Sequence, residues 1–244
     1  VVDERAVIRG NATQPLELFL SQSPPLQTLP HHLRRLDLRY RVAAPAVGDF
    51  NASATMPFGV THEHVHQAMV EFTEFLGFVN TSLNTKGIRR LESMLMPANF
   101  SSMVGEFAGE AIPKYAKGVV RNRYHNGHPD LIEAGRHQGD AVQHYHEGIE
   151  IKASRYKKGW QGHNPEDTWL MVFVFDASRP TDVAKDIAPK PFSYLAVFGA
   201  ELSKSDWTFS GRKGGSRRTI TASVNRSGYA KMSQNWIYKA PGFD

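Results

Sequence analysis

The chain is 244 residues long, carries no cysteine, and has a formal net charge of +5 with 41 % hydrophobic residues. That length supports one large domain or two small ones with a core that needs no staples, and the lack of cysteine excludes a disulfide framework and any thiolate metal site. No stretch approaches the roughly 20 consecutive apolar residues of a membrane span, and "VVDERAVIRG" has no signal-peptide core, so a soluble, cytoplasmic chain is expected.

In chain order, the first thirty residues, with Pro15, Pro24, Pro25 and Pro30, read as an irregular arm with at most one short helix. "RLDLRYRV" then alternates apolar and charged residues as a half-buried strand does, and its wet face, Arg35 to Arg41, suits either a guarded sheet edge or phosphate contact. From Thr61, the residues Val65, Met69, Phe72, Leu76, Val79 and Leu83 recur at spacings of four and three, which predicts a long amphipathic helix. Its stripe serves either its own core or a dimer seam. His62 and His66 lie one turn apart there but have no third metal ligand nearby in sequence.

A second helix is predicted from about Ser101 to Tyr115, ending or kinking near Pro113, with Glu106 and Glu110 side by side on its flank. After Val119 the pattern changes to short strands: "VVRNRYHN", "DLIEA", "GIEIKAS", the doubly covered run "TWLMVFVFD", "SYLAVFGAEL", "WTFS", "RTITASVN" and "NWIYK". A helical N-terminal portion therefore leads into an α/β portion with a mixed sheet, and we expect a division into residues 1–97 and 98–244.

The residues that carry chemistry lie in two of these strands. Glu150 and Lys152 are separated by one apolar residue, so a strand points both side chains to one face, and Asp130 lies twenty residues upstream, room enough for a hairpin to bring it alongside. Two carboxylates in contact repel. Mg²⁺ relieves that repulsion with hard-oxygen ligation while keeping positions for water and phosphate oxygens, and a neighbouring lysine can hold or help deprotonate an attacking water. The bland alternative is an ordinary cross-strand ion pair. Asp140, between glycine and small residues, suits a turn, and Glu133 should face away from Asp130. The histidines of "HNGH", "HYH" and "GHN" lack the spacing of a ββα-metal nuclease and are placed in turns flanking the active face.

"HPDLI … GIEIKAS" resembles the PD-(D/E)xK nuclease superfamily, which includes the type II restriction endonucleases, through Pro129, Asp130, Glu150 and Lys152. The resemblance spans roughly Ser101 to Asp176. It implies a restriction-endonuclease-like core with a mixed central sheet flanked by helices. It also implies magnesium held by Asp130, Glu150 and the Ile151 carbonyl, a water served by Lys152, and a supporting carboxylate from Glu106 or Glu110. The implied reaction is hydrolysis of double-stranded DNA to 5′-phosphate and 3′-hydroxyl ends. A palindromic site would call for a homodimer, with the Val65 to Leu83 helix as one candidate seam.

Toward the C-terminus, Arg212, Lys213, Arg217, Arg218 and Arg226 are interleaved with aromatics and with the amides Asn225, Gln234 and Asn235. Those residue types hold phosphates and read base edges, so DNA recognition is expected there. "GRKGGSRR" lacks the order of a P-loop. A repair, recombination or modification-dependent nuclease with the same site, or a non-catalytic DNA-binding protein, are the competing expectations.

Overall fold

The computed structural model describes residues 42–162, 164–188, 190–209 and 221–244. The arm, the basic strand Arg35 to Arg41, His163, and Arg212, Lys213, Arg217 and Arg218 lie outside the described residues.

The predicted long helix forms as α1, His62–Thr85. Thr61 caps it, its side chain accepting from the third helical N–H while His64 accepts from the Thr61 N–H. Of the stripe read from the sequence, Val65, Met69, Phe72 and Leu76 enter the core, while Val79 and Leu83 are half-buried. A short α2, Leu91–Met94, leads to α3, Pro97–Tyr115, which starts four residues earlier than the apolar spacing suggested, with Pro97 in the first turn. It ends at Tyr115, as the spacing predicts, with Pro113 in its final turn.

Among the described residues the main sheet has six strands in the order β1 (Val119–Arg121), β2 (Leu131–Glu133), β3 (Ile149–Ser154), β5 (Thr168–Asp176), β6 (Ser193–Leu202) and β9 (Trp236–Lys239). Among the described strands of this sheet only β3 and β5 run parallel, so the fold is mixed α/β with a mixed sheet. A second sheet joins β4 (Gln161–Gly162), β8 (Ala222–Val224) and β7 (Trp207–Phe209), and α4, Arg226–Gln234, precedes β9.

β5 divides the core by its period of two. Met171, Phe173 and Phe175 face the layer of α1 and α3, while Leu170, Val172 and Val174 face a second layer with Trp160, Trp207 and Met232. Across the expected boundary at residue 97/98, α1 shares one continuous core with α3 and the sheet. Val65, Met69, Phe72 and Leu76 are therefore spent inside the fold and do not form a dimer seam. Among the described residues, no helix is long and apolar enough to cross a membrane.

Candidate active site

β3 pairs with β5 along its whole length but with β2 at one position, Leu131 opposite Ile149. Beyond Ile149 one edge of β3 therefore has no paired strand among the described residues, and its backbone donors need other partners. The Ile151 N–H finds the carboxylate of Asp130, which precedes β2, donating to Oδ2 at 2.8 Å. In an extended strand the N–H and C=O of one residue point to the same edge, so the Ile151 carbonyl faces this opening too. Gly148 makes the approach possible. Its φ is +154°, and a Cβ there would meet Pro129 Cγ at 2.1 Å and the Leu131 oxygen at 2.5 Å.

Asp130, Glu150 and Lys152 are thus brought together. The Lys152 ammonium donates to Glu150 Oε1, and Glu150 is only 8 % exposed. All three line a cleft of about 720 Å³ together with Glu106, Arg121 and Glu166. Of the two helix acids, Glu106 enters this cleft, whereas Glu110 lines a neighbouring hollow. Both lie against Arg121: Glu106 accepts from Nη2 at 2.5 Å, and Glu110 sits 3.7 Å from Nε. Arg121 Nη1 also lies 3.5 Å from Asp130, so an arginine stands between the helix acids and the site.

Three further residues take part: Arg121 and Glu166, which the sequence did not announce, and His128, which it placed only in a turn flanking the active face. His128 lies with Nδ1 3.0 Å from Glu150 Oε2 and 3.5 Å from Glu166, its ring stacked on His144 and its Nε2 buried without a hydrogen-bond partner among the described residues. It stands only two residues before Asp130 in the sequence, which is the signal that could have found it. Arg121 faces Leu131 across β1 and β2, a register that no local pattern announces. Glu166 comes from the loop before β5, tied in place where Trp207 donates to its backbone carbonyl.

The two carboxyls diverge electrostatically. Burial, then the charge of Glu150, pushes Asp130 up to about 6 against the pull of Lys152, the Ile151 N–H and Arg121. Glu150 is buried as well, but the His128 hydrogen bond and the Lys152 charge outweigh its burial and hold it at about 2. Lys152 loses solvation, yet the charge of Glu150 and their hydrogen bond raise its pKa, so it is an ammonium at neutral pH.

The remaining expected residues scatter. Asn225 caps α4, accepting from the Ser227 and Gly228 N–H groups and donating to Ser205 O. Asn235 donates to Thr55 O and Gly199 O and accepts from Thr55 N–H. Both amides are committed to the fold rather than offered to base edges. Arg226 and Gln234 are exposed at the two ends of α4. Asp140 holds a turn at φ +56°, Glu133 pairs with Arg136 outside the cleft, and His66 contacts Pro45 O. No protein-family model matches the chain, and comparison with curated proteins yields no significant match.

Proposed function

We propose that this chain is a magnesium-dependent DNA endonuclease of the PD-(D/E)xK type, hydrolysing phosphodiesters in double-stranded DNA to 5′-phosphate and 3′-hydroxyl ends. The observation that carries the reading is the convergence of Asp130, Glu150 and Lys152 on the open edge of β3 inside one cleft.

The donor set fits magnesium. Among the described residues no group of three or more His, Asp or Glu side chains forms a ready metal cage, but Mg²⁺ needs only one or two carboxylates and fills its other positions with water and phosphate oxygens. Asp130 and Glu150 supply hard oxygens, and Asp130, pushed up by burial and by its neighbour, is a carboxylate that added positive charge would stabilise. When bound, the metal supplies Lewis-acid polarisation of the phosphodiester and stabilises the departing 3′ oxygen.

The chain's own groups do the rest. Lys152 donates to the attacking water and to the phosphate oxygens as negative charge builds on them. As the water's oxygen bonds to phosphorus it gives up one proton to solvent, the bond to the 3′ oxygen breaks, and that oxygen takes up one proton from solvent to leave as hydroxyl, so the step balances. Glu150, oriented by His128 on one oxygen and Lys152 on the other, fixes the lysine's direction. Arg121 and Glu106 brace Asp130 from the helix side.

Site-specific cutting of a duplex in the manner of a type II restriction enzyme, with a homodimer matched to a palindromic site, is the form we favour. The exposed Arg226 and Gln234, and the basic residues outside the described ones, are its candidate DNA contacts. A second reading has one observation in its favour: Lys152 is already paired with Glu150, as in an ordinary ion pair of a DNA-binding protein without catalysis.

Incubating the protein with plasmid and phage DNA in magnesium or EDTA separates the two. Discrete, metal-dependent fragments, reduced about a hundred-fold or more in Lys152→Ala, are expected. Intact DNA across unmodified, methylated and branched substrates, with binding retained, would favour the non-catalytic protein. Cutting confined to methylated or branched DNA would move the assignment to a modification-dependent or repair nuclease.

A further inference from the structure

Part of the cleft that holds Asp130, Glu150 and Lys152 is lined by a tight turn, Arg123 to Asn126, through Tyr124, His125 and Asn126, and its construction is uneven. Its backbone is anchored by a buried hub. The Asn122 side chain, in a residue 8 % exposed, donates to Pro129 O and Val142 O and accepts from the N–H groups of Tyr124 and Val142. That exhausts the two donors and two acceptor sites of one amide. Backbone bonds from Asn122 N–H to Asp130 O, Arg123 N–H to Asp140 O and Gly127 N–H to Tyr124 O close the turn. Gly127 is packed so tightly that a Cβ would lie 2.6 Å from both the Asn122 amide nitrogen and the Val142 oxygen.

The tip is the opposite. Arg123, Tyr124, His125 and Asn126 are all exposed, Tyr124 by 43 %, and none of their side chains has a hydrogen bond, ion pair or ring contact with the described residues. Asn126 sits at φ +57°, a conformation that costs a side-chain-bearing residue and that glycine would adopt freely. A turn that served only to connect two strands would not need a fully satisfied buried amide beneath it and an unpartnered aromatic above. Tyr124, His125 and Asn126 line the same cleft as Asp130, Glu150 and Lys152, and Arg123 lines the adjoining hollow with Lys117.

Resting on the reading of the site as a DNA nuclease, we infer that the Arg123–Asn126 turn is a sequence-reading element that contacts the bases beside the phosphate held at Asp130, Glu150 and Lys152. Asn126 and His125 offer hydrogen bonds to base edges, Asn being suited to adenine in the major groove. Tyr124 offers a ring to an unstacked base, and Arg123 offers a charge to a flanking phosphate. Because the Asn122 amide also holds the carbonyl of Pro129, next to Asp130, the reading turn and the catalytic carboxylate share one anchor, so a mispositioned base is felt directly at the site.

The test selects bound duplexes from a pool with a randomised window, using Lys152→Ala protein in magnesium so that binding is read without cleavage, and the same protein carrying Asn126→Gly or Tyr124→Ala. Asn126→Gly deletes the amide while suiting the backbone. The Lys152→Ala protein should enrich one motif, and Asn126→Gly should relax it at one position with roughly a ten-fold or greater loss of affinity for the original motif, at unchanged circular dichroism. Identical motifs and affinities in all three proteins would overturn the inference and leave the nuclease reading standing, as would binding without any preference. If Asn126→Gly fails to fold, an unchanged motif in Tyr124→Ala overturns the inference and a changed one supports it. If the Lys152→Ala protein binds no duplex at all, the reading as a site-specific duplex nuclease and the inference fall together.

Discussion

Asp206 and Asp130 are both largely buried, yet their carboxyls are pushed in opposite directions. Asp206, in a residue 1 % exposed, accepts from Lys231, from the hydroxyl of Ser227 and from both the N–H and hydroxyl of Ser203. Burial works against its charge, but these donors outweigh burial and hold the carboxyl at about 2. Asp130 has one close backbone donor, one more distant arginine and a second carboxylate beside it, and rises. A saturated carboxylate is structural, whereas an undersaturated one next to another acid is poised for a cation. Because the native pKa of Asp206 lies below that of an unfolded aspartate, its contribution to stability is complete above about pH 4 and is lost as pH falls from about 4 to 2. That contribution is on the order of 1–2 kcal/mol, since Lys231 is half-exposed and its charge partly screened. Urea midpoints measured from pH 6 to 2 should show Asp206→Asn less stable than the parent at pH 6 and the gap closing toward pH 2. A constant gap across that range would contradict the assignment.

At the scale of elements, the decisive feature is that β2 leaves β3 after one pair, which opens the edge that holds the site. Gly148 is where this is settled, because only a residue without Cβ fits between Pro129 and the Leu131 carbonyl at φ +154°. Gly148→Ala should cost on the order of 1–3 kcal/mol from backbone strain alone, and displacing Pro129 should move Asp130. Thermal unfolding checks the first effect and DNA cleavage the second, with activity expected to fall further than the loss of stability accounts for. The spacing of "NRSGYAKMSQ" announced no helix, yet α4 forms there. Asn225 before a run with Tyr229 and Met232 three apart was the available cap signal, but the glycine and serines dilute the apolar period over nine residues.

For the whole molecule, the long helix reads differently once its surroundings are known. Phe72 is 1 % exposed and meets Phe107 and Phe192 at ring-centroid distances of 5.2 and 5.1 Å, whereas Phe78, six residues on, is 73 % exposed. Phe72→Ala should destabilise by about 3–5 kcal/mol through lost burial and a cavity where α1, α3 and the sheet meet. Phe78→Ser should change stability by no more than about 0.5 kcal/mol. Denaturant unfolding of the two variants tests whether α1 belongs to the same cooperative unit as the sheet. Separate transitions for the helical portion and the sheet would restore a domain boundary near residue 97.

The sequence by itself determined the elements whose signals are local. The four-and-three spacing from Val65 to Leu83 marked α1, the nine-residue run Thr168–Asp176 marked the central strand, and the alternation of Glu150, Ile151 and Lys152 placed two charges on one face of β3. These follow from the helical and strand periods, which act over a few residues and need no knowledge of neighbours. Tertiary structure decided the rest: that Arg121 stands between Glu106 and Asp130, that His128 and Glu166 reach Glu150, and that Asn225 and Asn235 are consumed by capping and bridging. Those contacts depend on strand register and on which backbone groups are left without partners when two strands diverge. Both are fixed only when segments distant in sequence pack together.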